Sequence, residues 1–216
     1  MPRETKEEKK ARAKKIFTTL AKMYPDAHCA LDFTNPFELL VATILSAQCT
    51  DERVNIVMKT FRPTFPTPKS LADAELSEIE EVIRSTGFFR QKAKSLKSMA
   101  TDVVEKFGSK VPQTMDELIT LRGVGRKTAN VVLGNAFEIN VGIPVDTHVT
   151  RLSGLLKLSV HKDPEKIEQD LMELAPQSEW NMISHYLITH GRRICIANRP
   201  KCAECGINTY CPSSKV

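Results

Sequence analysis

The chain has 216 residues, enough for one large domain or two small ones with ample core. Its 31 Lys and Arg outnumber 26 Asp and Glu, a formal net charge of +5, and the excess base is clustered. Clustered base suggests a polyanion partner, the competing reading being a solvated face. No segment approaches the roughly 20 apolar residues of a membrane span, and the Lys/Glu-mixed N-terminus lacks the apolar core of a secretory signal, so a cytoplasmic protein is expected.

The base collects in three places. The N-terminal run has Arg3, Lys6, Lys9, Lys10, Arg12, Lys14 and Lys15 against Glu4, Glu7 and Glu8. The central stretch has Arg122, Arg126 and Lys127, with no acid before Glu138. The C-terminal part has Arg192, Arg193, Arg199 and Lys201 against Glu204. Cys29 and Cys49 stand alone, whereas Cys195, Cys202, Cys205 and Cys211 crowd together. In a reducing compartment such a group binds metal and does not form disulfides.

Almost every segment reads as helix. Lys6 to Tyr24 carries an apolar stripe through Ile16, Phe17, Leu20 and Met23. Asn35-Pro36-Phe37-Glu38 supplies a cap, a first-turn proline and an acid. The helix it opens, Phe37 to Ser46, is apolar on most sides and should be central and buried. After Ala47-Gln48-Cys49-Thr50, Asp51 is expected to cap a helix running to about Arg62. Pro63, Pro66 and Pro68 should break the chain, and Thr67-Pro68 opens a turn of helix through Leu71.

Ser77-Glu78-Ile79-Glu80 reads as a capping box for a helix ending before Gly87. Phe89 to Phe107 reads as a long helix with Lys and Arg outward, stopped by Gly108. Thr114 to Glu117 opens the helix that feeds a glycine hairpin, and Arg126 to Ala136 follows it. An extended connector, Asn140 to Pro144, leads to a helix from Asp146 to Leu156. Asp163-Pro164-Glu165 opens another through Leu174. Trp180 to His190 should be the last helix, with Gly191 as its stop. No β-alternating run is present, so the expected class is all-α.

The chemistry concentrates between Leu121 and Asp146. Gly123 and Gly125 flank Val124 in a turn between two helices expected to match in length. Glycines permit positive φ and close approach of another backbone. Their N–H groups, with those of the next helix N-terminus, make a site for a phosphate oxygen. Such a contact positions DNA without reading it. A plain helical turn is the bland alternative.

Lys127 sits at a helix N-terminus. There the helix dipole disfavours an ammonium, with Arg126 and an expected partial burial acting the same way. An amine so placed can attack carbon and form a Schiff base; on position alone, a phosphate-pairing lysine is the stronger reading. Asp146 before Thr-His-Val-Thr is a good N-cap, which by itself explains an Asp there. His148 beside it reads as packing or phosphate contact.

The run Leu121-x-Gly-Val-Gly-Arg-Lys-Thr-Ala-Asn-Val-Val, followed by Val145-Asp146-Thr147-His148, resembles the helix–hairpin–helix and Gly/Pro…Asp signature of the endonuclease III family. Leu45-Ser46-Ala47-Gln48-Cys49-Thr50-Asp51 and Cys195-x6-Cys202-x2-Cys205-x5-Cys211 match it too. The resemblance covers about Ala13 to Pro212. It implies a two-domain all-α fold: a six-helix barrel at 29–140, and a helical domain from 1–28 and 141–216 with an iron–sulfur loop. Double-stranded damaged DNA would lie between them, bound by a monomer in the cytoplasm, at the nucleoid.

The implied activity is excision of oxidised pyrimidines and cleavage 3′ to the abasic site. Lys127 would attack sugar C1′ after the nucleotide is flipped out. Asp146 would help deprotonate Lys127 and stabilise positive charge on the sugar. Gln48 would fill the space left by the flipped base, and Phe88 would wedge into the stack. Arg122, Gly123, Val124, Gly125, Arg126, Arg199 and Lys201 would contact the backbone. Three departures stand out: Arg122 replaces a common proline, the Lys127–Asp146 spacing is one residue longer, and Cys49, expected to be buried, replaces a common alanine.

By spacing alone the four cysteines suit one tetrahedral zinc or one [4Fe–4S] cluster. The resemblance implies the cluster, in a structural role that presents Arg199 and Lys201. Two other readings compete. An adenine glycosylase of the same superfamily generally lacks the hairpin lysine and carries an acid where Val41 to Leu45 has none. A non-catalytic DNA-binding or redox-sensing module would need neither Lys127 nor Asp146.

Overall fold

The structure, a computed structural model, describes residues 4–216; Arg3 of the N-terminal basic run lies outside them. The described residues form eleven α-helices and four short 3-10 turns, with no strand among them. In chain order the helices are α1 (Lys6–Met23), α2 (Pro36–Leu45), α3 (Asp51–Thr64), α4 (Pro68–Asp73), α5 (Leu76–Ile83), α6 (Phe89–Phe107), α7 (Met115–Leu118), α8 (Arg126–Ala136), α9 (Thr147–Leu155), α10 (Pro164–Leu174) and α11 (Trp180–Arg193). They fall into two compact units: Cys29–Ile139, and the chain up to His28 together with Asn140–Val216.

In the first unit α2 is the centre. Leu39, Leu40, Val41, Ala42 and Leu45 are fully buried, with α3, α6 and α8 packed on the helix. It begins where the sequence predicts: Asn35 Oδ1 accepts from Glu38 N at 3.0 Å, ahead of a first-turn proline. In the second unit α1 and α9 to α11 enclose a core of Ile16, Phe17, Leu20, Leu152, Leu171 and Leu187. Arg12 of α1 donates to Leu156 O at 2.8 Å and Tyr210 O at 3.2 Å, tying the N-terminal helix to the C-terminal tail.

Several expected boundaries move. Thr50, not Asp51, caps α3, its hydroxyl accepting from Arg53 N at 3.2 Å. Pro63 does not end α3; the last turn closes through Phe65 N to Phe61 O at 2.8 Å, with both rings buried and 5.1 Å apart. A proline in the last turn loses one bond, and the buried pair outweighs it. α4 runs to Asp73 instead of stopping at Leu71. Helix α5 starts after Glu75, not Ser77, because the Glu78 carboxylate reaches back to Glu75 N at 3.0 Å. The helices around the hairpin are unequal, α7 having 4 residues and α8 having 11.

Gly191 does not stop α11, which continues to Arg193. A Cβ there would lie 2.9 Å from His148 Nδ1 and 3.2 Å from Arg151 Nη2, so the glycine is the gap that lets α9 approach. The basic residues of α6 do not all face outward. Lys92 is 5 % exposed and donates from Nζ to Leu45 O and Thr86 O, both at 2.8 Å. Cys49 is half-buried, not enclosed.

Candidate active site and nucleic-acid interface

The hairpin is built by Leu121 and Val124, whose buried side chains anchor it while the residues between them stay at the surface. Val124 N donates to Leu121 O at 3.1 Å, closing the turn. Within it only Gly123 uses the left-handed region, with φ of 85°. A Cβ there would meet Ser95 Cβ at 3.1 Å. Gly125 is the N-cap of α8 with ordinary extended backbone, and a Cβ at that position would have nothing within 4 Å. Open space beside a helix N-terminus suits an oxyanion.

Lys127 is the second residue of α8 and is exposed, so the expected partial burial is absent. Its amine stands beside the hairpin on solvent. Arg122 is exposed and, with Lys94 and Lys97 of α6, lines a shallow basic hollow. Asp146, in the other unit, is the N-cap of α9, and its Oδ1 accepts from Val149 N at 2.8 Å. The carboxylate therefore has one oxygen engaged and a fixed orientation. His148 packs in α9, near Arg151 Nη2 at 3.4 Å.

Gln48 and Phe88 occupy two short loops of the Cys29–Ile139 unit. Both are exposed, and both adopt left-handed backbone, φ 52° and 47°. Phe88 is 68 % exposed, so it is not a core aromatic. An exposed phenyl on strained backbone is a feature that folding alone does not require.

The sequence profile of the HhH-GPD superfamily base excision DNA repair proteins matches residues 41–177. Endonuclease III of Synechocystis sp. is 53 % identical over 207 residues, covering 96 % of this chain and 94 % of that protein.

The chain belongs to the endonuclease III family.

Among solved structures, a non-covalent endonuclease III–DNA complex superposes with a TM-score of 0.91 at 42 % identity, covering 95 % of this chain and 96 % of the other. A trapped endonuclease III–DNA covalent intermediate gives the same score and identity, over 95 % and 97 %. The all-α class expected from the sequence holds, as does the family membership. No helix among the described residues is long and apolar enough to cross a membrane.

In this member of the endonuclease III family, Cys195, Cys202, Cys205 and Cys211 line one cavity of about 170 Å³ with Ile194 and Ile207. No group of three or more His, Cys, Asp or Glu among the described residues converges tightly enough for a single ion. A tetrahedral zinc would draw its four thiolates to about 2.3 Å. Four thiols around one cavity supply the donors for a zinc ion or for a multi-iron cluster. Burial and neighbouring cysteines push the Cys195 and Cys205 thiols up, which Arg151 opposes at Cys195. A bound cationic cluster would reverse that tendency.

Residues unnoticed in the sequence support this region. Arg151 of α9 donates to Cys195 O at 2.5 Å and Gly191 O at 3.3 Å. Buried His190 lies 2.8 Å from the Tyr24 hydroxyl at Nδ1 and 3.5 Å from Cys205 Sγ at Nε2. Burial holds His190 down to about 4 and pushes Tyr24 up to about 12. A neutral ring that accepts from tyrosine and donates to sulfur satisfies both contacts.

Proposed function

We propose that this chain removes oxidised pyrimidines from double-stranded DNA and cleaves the strand at the resulting abasic site, with Lys127 as nucleophile. The observation that carries the reading is the exposed Lys127 amine in the first turn of α8, directly after an anion-accepting hairpin. The endonuclease III that was trapped covalently on DNA shares the fold at a TM-score of 0.91.

Phosphate contact falls to the N–H groups of Gly123, Val124 and Gly125, with Arg122 and Arg126 alongside and Arg199 and Lys201 on the C-terminal loop. Phe88 wedges into the stack as the damaged nucleotide leaves it, and Gln48 fills the vacated space. The Lys127 nitrogen bonds to C1′ and the glycosidic bond breaks, the base leaving with its electron pair. Asp146 accepts a proton from the amine and stabilises charge on the sugar. The sugar ring opens to a Schiff base, which acidifies the 2′ proton. Loss of that proton expels the 3′ phosphate by β-elimination.

Cys195, Cys202, Cys205 and Cys211 would hold a [4Fe–4S] cluster. When bound, it cross-links a tail that has little core of its own and fixes Arg199 and Lys201. The barrel assigned to 29–140 then carries the nucleophile, and the helical domain from 1–28 and 141–216 carries Asp146 and the cluster. Every group the reaction uses lies in one chain, so a monomer suffices. Its place is the cytoplasm, on the nucleoid.

Borohydride tests the reading. A duplex with an oxidised pyrimidine or an abasic site should yield a covalent adduct with the wild type and none with Lys127→Ala. Asp146→Asn should bind DNA yet lose at least about a hundredfold in turnover. No adduct from the wild-type protein would remove the lyase assignment.

A further inference from the structure

Lys92 is a buried lysine in the fourth position of α6, and it caps two helices at once. Leu45 O is the last carbonyl of α2, and Thr86 O is the last of the 3-10 turn Arg84–Thr86. Both accept from Lys92 Nζ at 2.8 Å, so the two chain ends stand no further apart than two hydrogen bonds laid end to end. Carbonyls at helix C-termini lack intrahelical partners and favour a cation. The backbone N of Lys92 also bonds Phe88 O at 3.1 Å.

Each capped end leads directly into a surface loop. Gln48 comes three residues after Leu45, and Phe88 two residues after Thr86. Both are exposed non-glycine residues in left-handed backbone, 52° and 47° in φ. That conformation is strained for a residue with a side chain, and it persists only where the surroundings impose it. One ammonium is the shared fixed point of both loops.

We propose that Lys92 is a positioning residue that holds the Gln48 and Phe88 loops in mutual register, so that both enter the duplex in one step. The inference rests on the reading above that Gln48 and Phe88 replace the flipped base and open the stack. Lys92 touches no DNA. It sets where two probing side chains stand before DNA arrives, a pre-organisation that lowers the cost of insertion.

The test compares two substrates under single turnover: a duplex carrying thymine glycol, and a single-stranded oligonucleotide with an abasic site, which has no stack to open. Lys92→Met should slow the duplex reaction by about ten- to a hundredfold and the single-stranded lyase reaction by less than about threefold. Affinity for undamaged duplex should stay within about threefold, so that the loss is in kcat and not in KM. Lys92→Arg, which keeps donors and charge, should recover most of the duplex rate. Lys92→Met/Phe88→Ala should be little slower than the slower single variant, since both remove the same step.

Equal losses on the two substrates would mean a general packing role and overturn the proposal. So would an unimpaired duplex reaction in Lys92→Met when Gln48→Ala and Phe88→Ala are slow. If Gln48→Ala and Phe88→Ala are themselves unimpaired on duplex, the reading of the two loops fails and Lys92 falls with it. Should Lys92→Met not fold, Lys92→Gln carries the same comparison.

Discussion

Gly123 and Gly125 are two residues apart and are required for different reasons. Gly123 has φ of 85° and faces Ser95 Cβ at 3.1 Å from where a methyl would go. Gly123→Ala should therefore cost about 1–3 kcal/mol of stability, read as a lower denaturant midpoint. Gly125 has ordinary backbone and open space. Gly125→Ala should leave the midpoint unchanged or slightly raised, yet weaken DNA binding several-fold by holding a phosphate off the N–H groups. If the two alanines behave alike, the division of roles is wrong. The motif G-x-G was legible in sequence, but which glycine carries the strain was not, because φ is set by what Leu121 and Val124 bury.

At the scale of elements, most local signals were read correctly, the caps of α3 and α5 at Thr50 and Glu75 being the exceptions, and tertiary ones were not. The caps at Asn35, Thr67, Thr114, Asp146 and Asp163 are each satisfied by a hydrogen bond within three residues, and such information lies in the sequence itself. The continuation of α3 through Pro63 rests on the burial of the Phe61–Phe65 pair, and that of α11 through Gly191 on packing against α9. The burial of Lys92 had a signal that could have been used: it falls in register with Leu96, Met99 and Val103 on the apolar stripe of α6. Gly191→Ala makes the tertiary argument measurable. Alanine in a helix interior gains up to about 1 kcal/mol over glycine. A Cβ 2.9 Å from His148 Nδ1 should cost about 1–3 kcal/mol, so the net change should be a lower melting temperature. A rise in melting temperature would show that α9 and α11 have slack between them.

For the whole molecule, acid should be the more damaging direction of pH. His185 in α11 is held down to about 4, chiefly by burial and secondarily by His28. Between that value and an unfolded value near 6.5, the unfolded chain binds a proton that the folded chain refuses. The stability this group contributes is thus complete above about pH 6.5 and lost as pH falls toward 4, at most about 3 kcal/mol. His185→Gln should flatten that part of the stability profile; an unchanged slope would remove His185 as its source. The family, the all-α class and the reaction class were all readable, because three separate motifs had to occur in one order. The crowding of the cysteines reads as metal-binding, but their spacing suits zinc and iron–sulfur alike, and it is the resemblance that favours iron. Iron chelation, or Cys205→Ser, should lower the melting temperature and bleach the visible absorbance that an iron–sulfur cluster confers; stoichiometric zinc in a colourless protein would overturn the iron assignment.

Arg151 gives the second unit a property of a different kind. It sits one turn along the helix that Asp146 opens, and its guanidinium holds the carbonyls of Cys195 and Gly191. The carboxylate and the cysteine loop are therefore two ends of a single lever. Under the proposed assignment, whatever loosens the loop, whether oxidation of the thiols or loss of a bound cluster, should also loosen the helix that Asp146 caps. Arg151→Ala should mimic that damage with every cysteine intact: lower turnover at unchanged Lys127 reactivity toward a small aldehyde. A group that never meets the substrate would then act as a fuse, disarming strand cleavage when the protein that carries it is itself injured.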